Sequence, residues 1–159
     1  MKLIRNALLV ISGTQASVNA ARYAIMLCKE MDINLFVLYV IDTATIKELM
    51  MSNIFIEEES KEYEKSLEMD GEKYLNMIEE MAKTKKQKIT KLLKKGMIST
   101  EIITATKDNR IDLIILGEWQ ESKSRRDLIS MESRYVLANA EVSVLVVKEG
   151  DLERTFKKF

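Results

Sequence analysis

The stretch LIILGEWQESKSRRDLISMES runs from Leu113 to Ser133 and contains the pattern that decides the fold. It begins with a short unbroken apolar run, which is typical of a strand buried on both faces of a sheet. Gly117 ends the run, a charged loop follows, and apolar spacing predicts a helix from about Leu128 to Asn139. Many α/β proteins hold a phosphate with a strand, a glycine, a loop and a helix N-terminus in this order. The stretch therefore indicates an α/β protein and raises the question of a nucleotide site.

Strands and helices alternate along the rest of the chain. Four further runs, the third of them lysine-rich, predict strands at Asn6–Ile11, Ile33–Ile41, Lys85–Lys95 and Val142–Lys148. Helical spacing predicts helices between them: from about Gln15, over Glu57–Lys83, and from a cap at Ser99 or Thr100 to about Asp108. Strands that alternate with helices indicate right-handed crossovers and a parallel sheet with helices on both faces.

We therefore predict a single α/β domain over residues 1–150, built on a doubly wound parallel five-stranded sheet, with a polar C-terminal tail over residues 151–159. The expected strand order is 3-2-1-4-5, which leaves a crevice where the order reverses, between the first and fourth strands. Residues 12–14 and the residues from Gly117 onward face each other across that crevice. A ligand of this protein is expected there.

The composition argues against several kinds of site and partner. Histidine is absent, which removes Ser-His-Asp and Cys-His catalysis and every histidine metal site. The single cysteine, Cys28, leaves no partner for an internal disulfide. It lies on an apolar helical stripe that indicates a core residue rather than a redox sensor. The residues of this stripe are Ala20, Ala21, Ala24, Leu27, Cys28 and Met31. The 25 basic residues balance the 25 acidic ones, so no global charge favours nucleic acid or an anionic membrane. We expect no metal, no nucleic acid and no membrane among the partners.

Targeting and membrane signals are also missing from the pattern of apolar residues. No N-terminal apolar run precedes a small-residue cleavage site, and no segment approaches the roughly 20 apolar residues of a membrane span. A cytoplasmic setting is the expectation.

Four segments carry a resemblance to a known family. LLVISGTQAS (8–17) resembles the first strand and turn of the universal stress proteins, and LFVLYVID (35–42) resembles their second strand. KKGMISTEIITATKDNRIDLIILG (94–117) resembles their segment that leads through a helix into the fourth strand. VLANAEVSVLVV (136–147) resembles their closing helix and strand. The resemblance covers nearly the whole chain and implies the adenine nucleotide α-hydrolase-like fold.

The resemblance also implies where a nucleotide would bind. Members that bind ATP carry G-x2-G-x9-G-[ST] after the fourth strand, which places Gly117, Gln120, Ser130 and Met131 at the motif positions. Ser12 replaces the aspartate that usually ends the first strand, and Val10 replaces a proline. The nucleotide-site residues implied in this way are Val10, Ser12, Val40, Leu116, Gly117, Gln120, Arg125, Arg126, Ser130, Met131 and Ser133.

These departures predict weak ATP binding or none. Glycines let backbone N–H groups approach a phosphate without a Cβ in the way, and Gln120 and Ser130 do this less readily. Met131 has no hydroxyl for a phosphate oxygen, and Glu132 is expected in the first helical turn, where it would repel a phosphate. No cofactor is therefore predicted, with ATP and Mg²⁺ as the alternative.

Two alternatives remain open for the function. Lys123, Arg125 and Arg126 could hold an anion by their side chains, which would make the protein a nucleotide switch or a slow ATPase. An enzyme of the wider fold would need a carboxylate or lysine as its base, and Glu118 and Glu121 have no obvious partner. We expect a non-enzymatic regulatory or protective module of the stress response that acts through protein partners.

Two surface segments need an interpretation as well. The lysines between Lys83 and Lys95 lie on an edge strand in the assumed order, where they discourage unwanted strand pairing. The apolar residues between Asp42 and Ile56 are compatible with a mobile flap, a partner surface or a packed core helix.

The last strand predicts an oligomeric state. Val142, Val144, Leu145, Val146 and Val147 form an apolar edge that has no guarding charge before Lys148, which is an association hazard if it is left exposed. The resemblance implies dimerisation through this strand, so we predict a two-fold homodimer with Val142 to Val147 at its centre.

Overall fold

The computed structural model describes residues 1–117 and 126–159, and for residues 126–130 it describes the backbone helix but not the side chains. Its elements follow the predicted alternation of strands and helices. In chain order they are β1 (Asn6–Ile11), α1 (Gln15–Met31), β2 (Asn34–Asp42), α2 (Thr43–Met51), α3 (Glu57–Thr84), β3 (Ile89–Gly96), α4 (Ile98–Asp108), β4 (Leu113–Gly117), α5 (Arg126–Asn139), β5 (Ser143–Val147) and α6 (Glu153–Lys158).

The five strands form one parallel sheet in the order β3-β2-β1-β4-β5, which confirms the predicted fold. The register pairs Leu8 with Phe36 on one side and with Ile114 on the other, so β1 lies at the centre of the sheet. The strand order reverses between β1 and β4, because β2 and β3 are added on one side of β1, and β4 and β5 on the other. The crevice expected from the sequence therefore lies at the C-terminal ends of these two strands.

Alternate residues of each strand enter two separate cores. Leu9 and Ile115 point to the face covered by α1, α3 and α6, where Ala20, Ala21, Ala24 and Cys28 let α1 sit close to the sheet. Leu8 and Ile114 point to the opposite face, which α4 and α5 cover. Both faces of the central strands are buried, and this explains why β1, β2 and β4 are nearly unbroken apolar runs.

The C-terminal segment docks on the first of these two faces. Leu152 and Phe156 are buried in the core of that face, while Phe159 stays half exposed. The buried side chain of Asn19 accepts a hydrogen bond from Leu152 N at 2.9 Å and donates one to the carbonyl of Glu149. The polar tail predicted from the sequence is thus a short helix held by α1.

Two local predictions are wrong. Met31 was expected on the buried stripe of α1 but is exposed, because the helix ends there and Asp32 turns the chain in a left-handed conformation (φ 53°). Ser99 and Thr100 do not cap α4 with their side chains, because the helix already begins at Ile98 and its N-cap, Met97, has no side-chain acceptor.

Two of the three lysines of the edge strand β3 are paired with the acidic face of α3. Lys91 Nζ lies 3.0 Å from Glu79 Oε1, and Lys95 Nζ lies 3.4 Å from Glu64 Oε1 and 3.2 Å from Glu68 Oε2. Such partly exposed pairs add little stability each. They offset part of the positive charge of this lysine-rich edge.

No helix in the described ranges, 1–117 and 126–159, is long and apolar enough to cross a membrane.

Candidate functional site

The candidate site lies where the first turn of α1 meets the end of β4. A Cβ placed on Gly117 would lie 2.7 Å from the carbonyl oxygen of Ala16 and 2.9 Å from its carbonyl carbon. A side chain at this position would therefore collide with backbone, which cannot move aside as a side chain can. The close packing against Ala16 is by itself a sufficient reason for glycine at this position, whether or not a phosphate binds.

A cluster of hydroxyl groups occupies the place where the resemblance leads us to expect a carboxylate. Ser12 Oγ lies 3.0 Å from Ser17 Oγ and 3.2 Å from Thr14 Oγ1, and Ser12 N donates to Ser17 Oγ at 2.8 Å. Thr14 is the N-cap of α1 and accepts from Ser17 N at 3.2 Å. These groups satisfy one another, so a ligand has to compete with hydrogen bonds that already exist.

An aspartate does stand at the end of the neighbouring strand β2, but it is already engaged. Asp42 Oδ1 accepts from Thr45 N at 3.0 Å, and Asp42 Oδ2 accepts from Thr45 Oγ1 at 2.6 Å. Asp42 is the N-cap of α2, where its carboxylate satisfies the first turn of the helix. Both carboxylate oxygens of Asp42 are therefore engaged in capping α2.

Three of the predicted site residues belong to one apolar cluster. Leu116 is buried, and Val10 and Val40 are partly buried, all within the core between the sheet and the helices α4 and α5. The structure therefore brings Val10, Val40 and Leu116 together, next to Ser12 and Gly117 at the strand ends. They supply an apolar wall to the site and no polar group.

An aromatic pair on the other face was missed by the sequence analysis. A Cβ on Gly13 would lie 3.2 Å from Cε2 of Tyr74, so this ring from α3 covers the turn between β1 and α1. Tyr74 stacks on Tyr39 of β2, with ring centroids 6.4 Å apart and an angle of 10° between the ring planes. In the sequence Tyr74 is only one more residue on the inner stripe of a helix, so nothing there distinguishes a site neighbour from a core residue.

The remaining predicted site residues lie only partly in the described chain. Gln120 and Arg125, like Glu118, Trp119, Glu121 and Lys123, lie outside the described residues. Arg126 and Ser130 belong to α5, and only their backbone is described. Met131 is exposed and Ser133 is half buried. Because α5 begins at Arg126, Met131 is an interior residue of the helix and does not stand at its start.

The expectation for Glu132 is wrong for the same reason. It lies beyond the first turn of α5, and its Oε2 accepts a hydrogen bond from Ser99 N at 2.9 Å. The helix α4 lacks a side-chain cap of its own, so Glu132 supplies one from a different helix. The carboxylate thus joins α5 to α4 and does not act as a barrier to phosphate.

Cys28 is a buried thiol, and the described acidic groups do not cluster as metal ligands. Burial raises the pKa of the Cys28 thiol to about 12, so the reactive thiolate is not formed near neutral pH. No group of three His, Cys, Asp or Glu residues within the described ranges is arranged to hold a metal ion.

Comparisons with known proteins agree with this architecture. The model of the universal stress protein family matches residues 4–148. Universal stress protein MJ0531 of Methanocaldococcus jannaschii is 28% identical over 153 residues, which covers 95% of this chain and 86% of that protein.

Solved structures share the fold at low identity. Universal stress protein UspA from Lactobacillus plantarum superposes with a TM-score of 0.73 at 19% identity, over 91% of this chain and 98% of that one. A universal stress protein family protein from Arabidopsis thaliana, solved with AMP bound, has a TM-score of 0.66 at 13% identity, over 94% of each chain.

Proposed function

The chain belongs to the universal stress protein family, and from that premise we propose that it is a non-enzymatic, cytoplasmic, dimeric module that regulates or protects in the stress response, with weak or no ATP binding. The hydroxyl cluster of Ser12, Thr14 and Ser17 carries this proposal. It puts a neutral, internally bonded group where an ATP-binding member has a carboxylate to receive the nucleoside. A ligand that gains little there has to break existing hydrogen bonds to bind.

The phosphate end of the site supports the same proposal. Of the motif's three glycines only Gly117 is present, and the contact with Ala16 accounts for it without a ligand. Position 131 offers no hydroxyl and lies inside α5. At the positions of the family's motif, neither half of the site therefore retains the groups that hold ATP in the binding members.

We expect a calorimetric titration with MgATP to give no saturable heat at micromolar nucleotide, with a Kd of about 1 mM or weaker. The fluorescence of Trp119, the only tryptophan, provides a second readout close to Gly117 in the sequence. A micromolar Kd with a tryptophan change would overturn the proposal and favour the nucleotide-binding alternative.

That alternative is supported by the AMP-bound relative from Arabidopsis thaliana, which has the same fold. Here Lys123, Arg125 and Arg126 would replace the missing glycines with side-chain contacts, and the protein would be a switch or a slow ATPase. If ATP does bind tightly, the double change Arg125→Ala and Arg126→Ala should weaken it about tenfold or more. The change of Lys157 and Lys158 to Ala removes two charges from α6 and is the matched control.

The dimeric state rests on the edge strand β5. Val144, Leu145 and Val146 are half buried although β5 has a neighbour only on the β4 side. The other edge, β3, carries paired lysines, whereas β5 has no charge before Lys148. Two copies that pair edge to edge about a two-fold axis would remove this hazard from both.

Light scattering at micromolar concentration should therefore give about twice the 18.3 kDa mass of one chain. The change Val146→Lys places like charges near the two-fold axis and should give a monomer with an unchanged circular dichroism spectrum. Thr90→Lys adds a lysine to the opposite edge strand and should leave the dimer intact. A monomeric wild-type protein would contradict the proposal.

A further inference from the structure

An apolar patch is exposed at the end of α2 and in the turn that follows it. We call it the α2 patch and define it by four side chains: Met50, Met51, Ile54 and Ile56. Their exposed fractions are 37%, 76%, 63% and 61%. Ile46 is the buried residue of α2, so the helix is fixed at its start and shows its last turn to solvent. Clustered exposed side chains of this size are typical of interaction sites.

The α2 patch is held in a defined shape. Ile54 N and Phe55 N both donate to Leu49 O, at 2.9 and 3.1 Å, which folds the turn back onto α2. Asn53 takes the left-handed conformation (φ 56°) that closes such a turn. Phe55 packs edge-on against Tyr63 of α3, with ring centroids 5.5 Å apart. The apolar side chains therefore project from an ordered base, and a partner does not have to order this segment on binding.

The sequence that contains the patch is acidic. Between residues 47 and 62 there are five glutamates and two lysines, a net charge of −3. One of those lysines, Lys61, is paired with Glu57 at 3.3 Å. Glu58 and Glu59 are exposed beside the patch. This charge repels an anionic membrane or a nucleic acid and attracts a basic surface.

The backbone of the patch also limits the kind of partner. A helix end and a closed turn present no free strand edge, so recognition has to come from side chains. An amphipathic helix offers apolar side chains at three-to-four spacing for the patch and charged ones for its rim. The unbranched side chains of Met50 and Met51 adapt readily to such a surface.

We propose that the α2 patch is the docking surface for a basic amphipathic helix of a partner protein. The proposal adds a class of partner to the regulatory role and rests on that role. It concerns a surface separate from the hydroxyl cluster at Ser12, so each has its own measurement.

The test uses a labelled peptide of about 20 residues, long enough for a stable helix, with leucine at helical spacing and lysine elsewhere. Fluorescence anisotropy with the full-length protein should give saturable, micromolar binding. A control peptide with the same leucine spacing and glutamate in place of each lysine should not bind. Hydrogen exchange with bound peptide should protect amides between residues 46 and 60.

Matched variants locate the binding. The triple change Met51→Gln, Ile54→Gln and Ile56→Gln should weaken peptide binding about tenfold or more. Met69→Gln alters an equally exposed methionine on α3 and should leave affinity within about twofold. Glu58→Gln with Glu59→Gln should weaken binding and reduce its dependence on salt. Circular dichroism checks that each variant is folded.

Three results would overturn the proposal. The first is a wild-type protein that fails to bind the lysine peptide. The second is a triple variant that binds the peptide as well as wild type does. The third is a triple variant that loses self-association, because the occupant of the patch would then be a second copy of the chain. The MgATP titration separates the two proposals. Peptide binding with tight ATP binding would overturn the proposed function alone, and absence of both would overturn the docking surface alone.

Discussion

Replacing Gly117 by alanine should lower the free energy of unfolding by about 3 kcal/mol, near the upper end for overpacking. The added Cβ would lie 2.7 Å from the carbonyl oxygen of Ala16. Relief requires the first turn of α1 to move away from β4, and that turn also carries the hydrogen bonds of Ser17. Urea unfolding followed by far-UV circular dichroism measures the change.

Gly150→Ala is the control for this substitution. A Cβ on Gly150 meets no atom within 4 Å, so its stability should change by less than about 1 kcal/mol, with a gain from a less flexible unfolded chain. If Gly117→Ala were as stable as wild type, the packing explanation for this glycine would be wrong. A phosphate contact would then be the better reason for the glycine.

The fold was predictable because the apolar runs of the central strands indicate that both of their faces are buried. A run such as Leu113 to Leu116 has no polar residue for either face, and in a single α/β chain this means helices on both sides. The intervening helical patterns fixed the parallel direction of the strands. Boundaries shifted where local features decided them: α4 begins at Ile98, so its N-cap is Met97 and not Ser99 or Thr100.

The candidate site was only partly predictable. The resemblance assigned Val10 and Leu116 to the site, and both lie in one apolar core. The cap that Glu132 gives to α4 joins residues 33 positions apart, and no local pattern signals it. The cover of Gly13 by Tyr74 likewise depends on how α3 packs across the sheet. A helical pattern fixes which face is buried, but not which residue of another element that face meets.

The crevice and the α2 patch differ in whether their groups already have partners within the chain. At the crevice, Ser12, Thr14 and Ser17 bond to one another and Gly117 is filled by the approach of α1. At the α2 patch, ordered apolar side chains have no cover from the described part of the chain. This contrast between the described parts of the crevice and the α2 patch is the reason that we propose a macromolecular partner and weak or no ATP binding.

A pair of identical substitutions should separate the core from the α2 patch. Ile114→Ala removes a fully buried side chain from the central strand β4 and should cost about 2–5 kcal/mol. The loss is large because Ile114 pairs with Leu8 on one side and with Val144 on the other, so neighbouring strands limit collapse into the cavity. Thermal unfolding should show a lower Tm by about 2–4 °C for each kcal/mol lost.

Ile54→Ala makes the same chemical change at a side chain that is 63% exposed. Its stability should stay within about 0.5 kcal/mol of wild type, because little apolar contact is lost on the surface. A loss of several kcal/mol would mean that Ile54 is packed in solution, and the α2 patch would then not be free to bind a partner. If the Ile54→Ala protein is as stable as wild type but binds the lysine peptide less tightly, Ile54 contributes to recognition. The fold is then intact, so the weaker binding comes from the lost contact with the peptide.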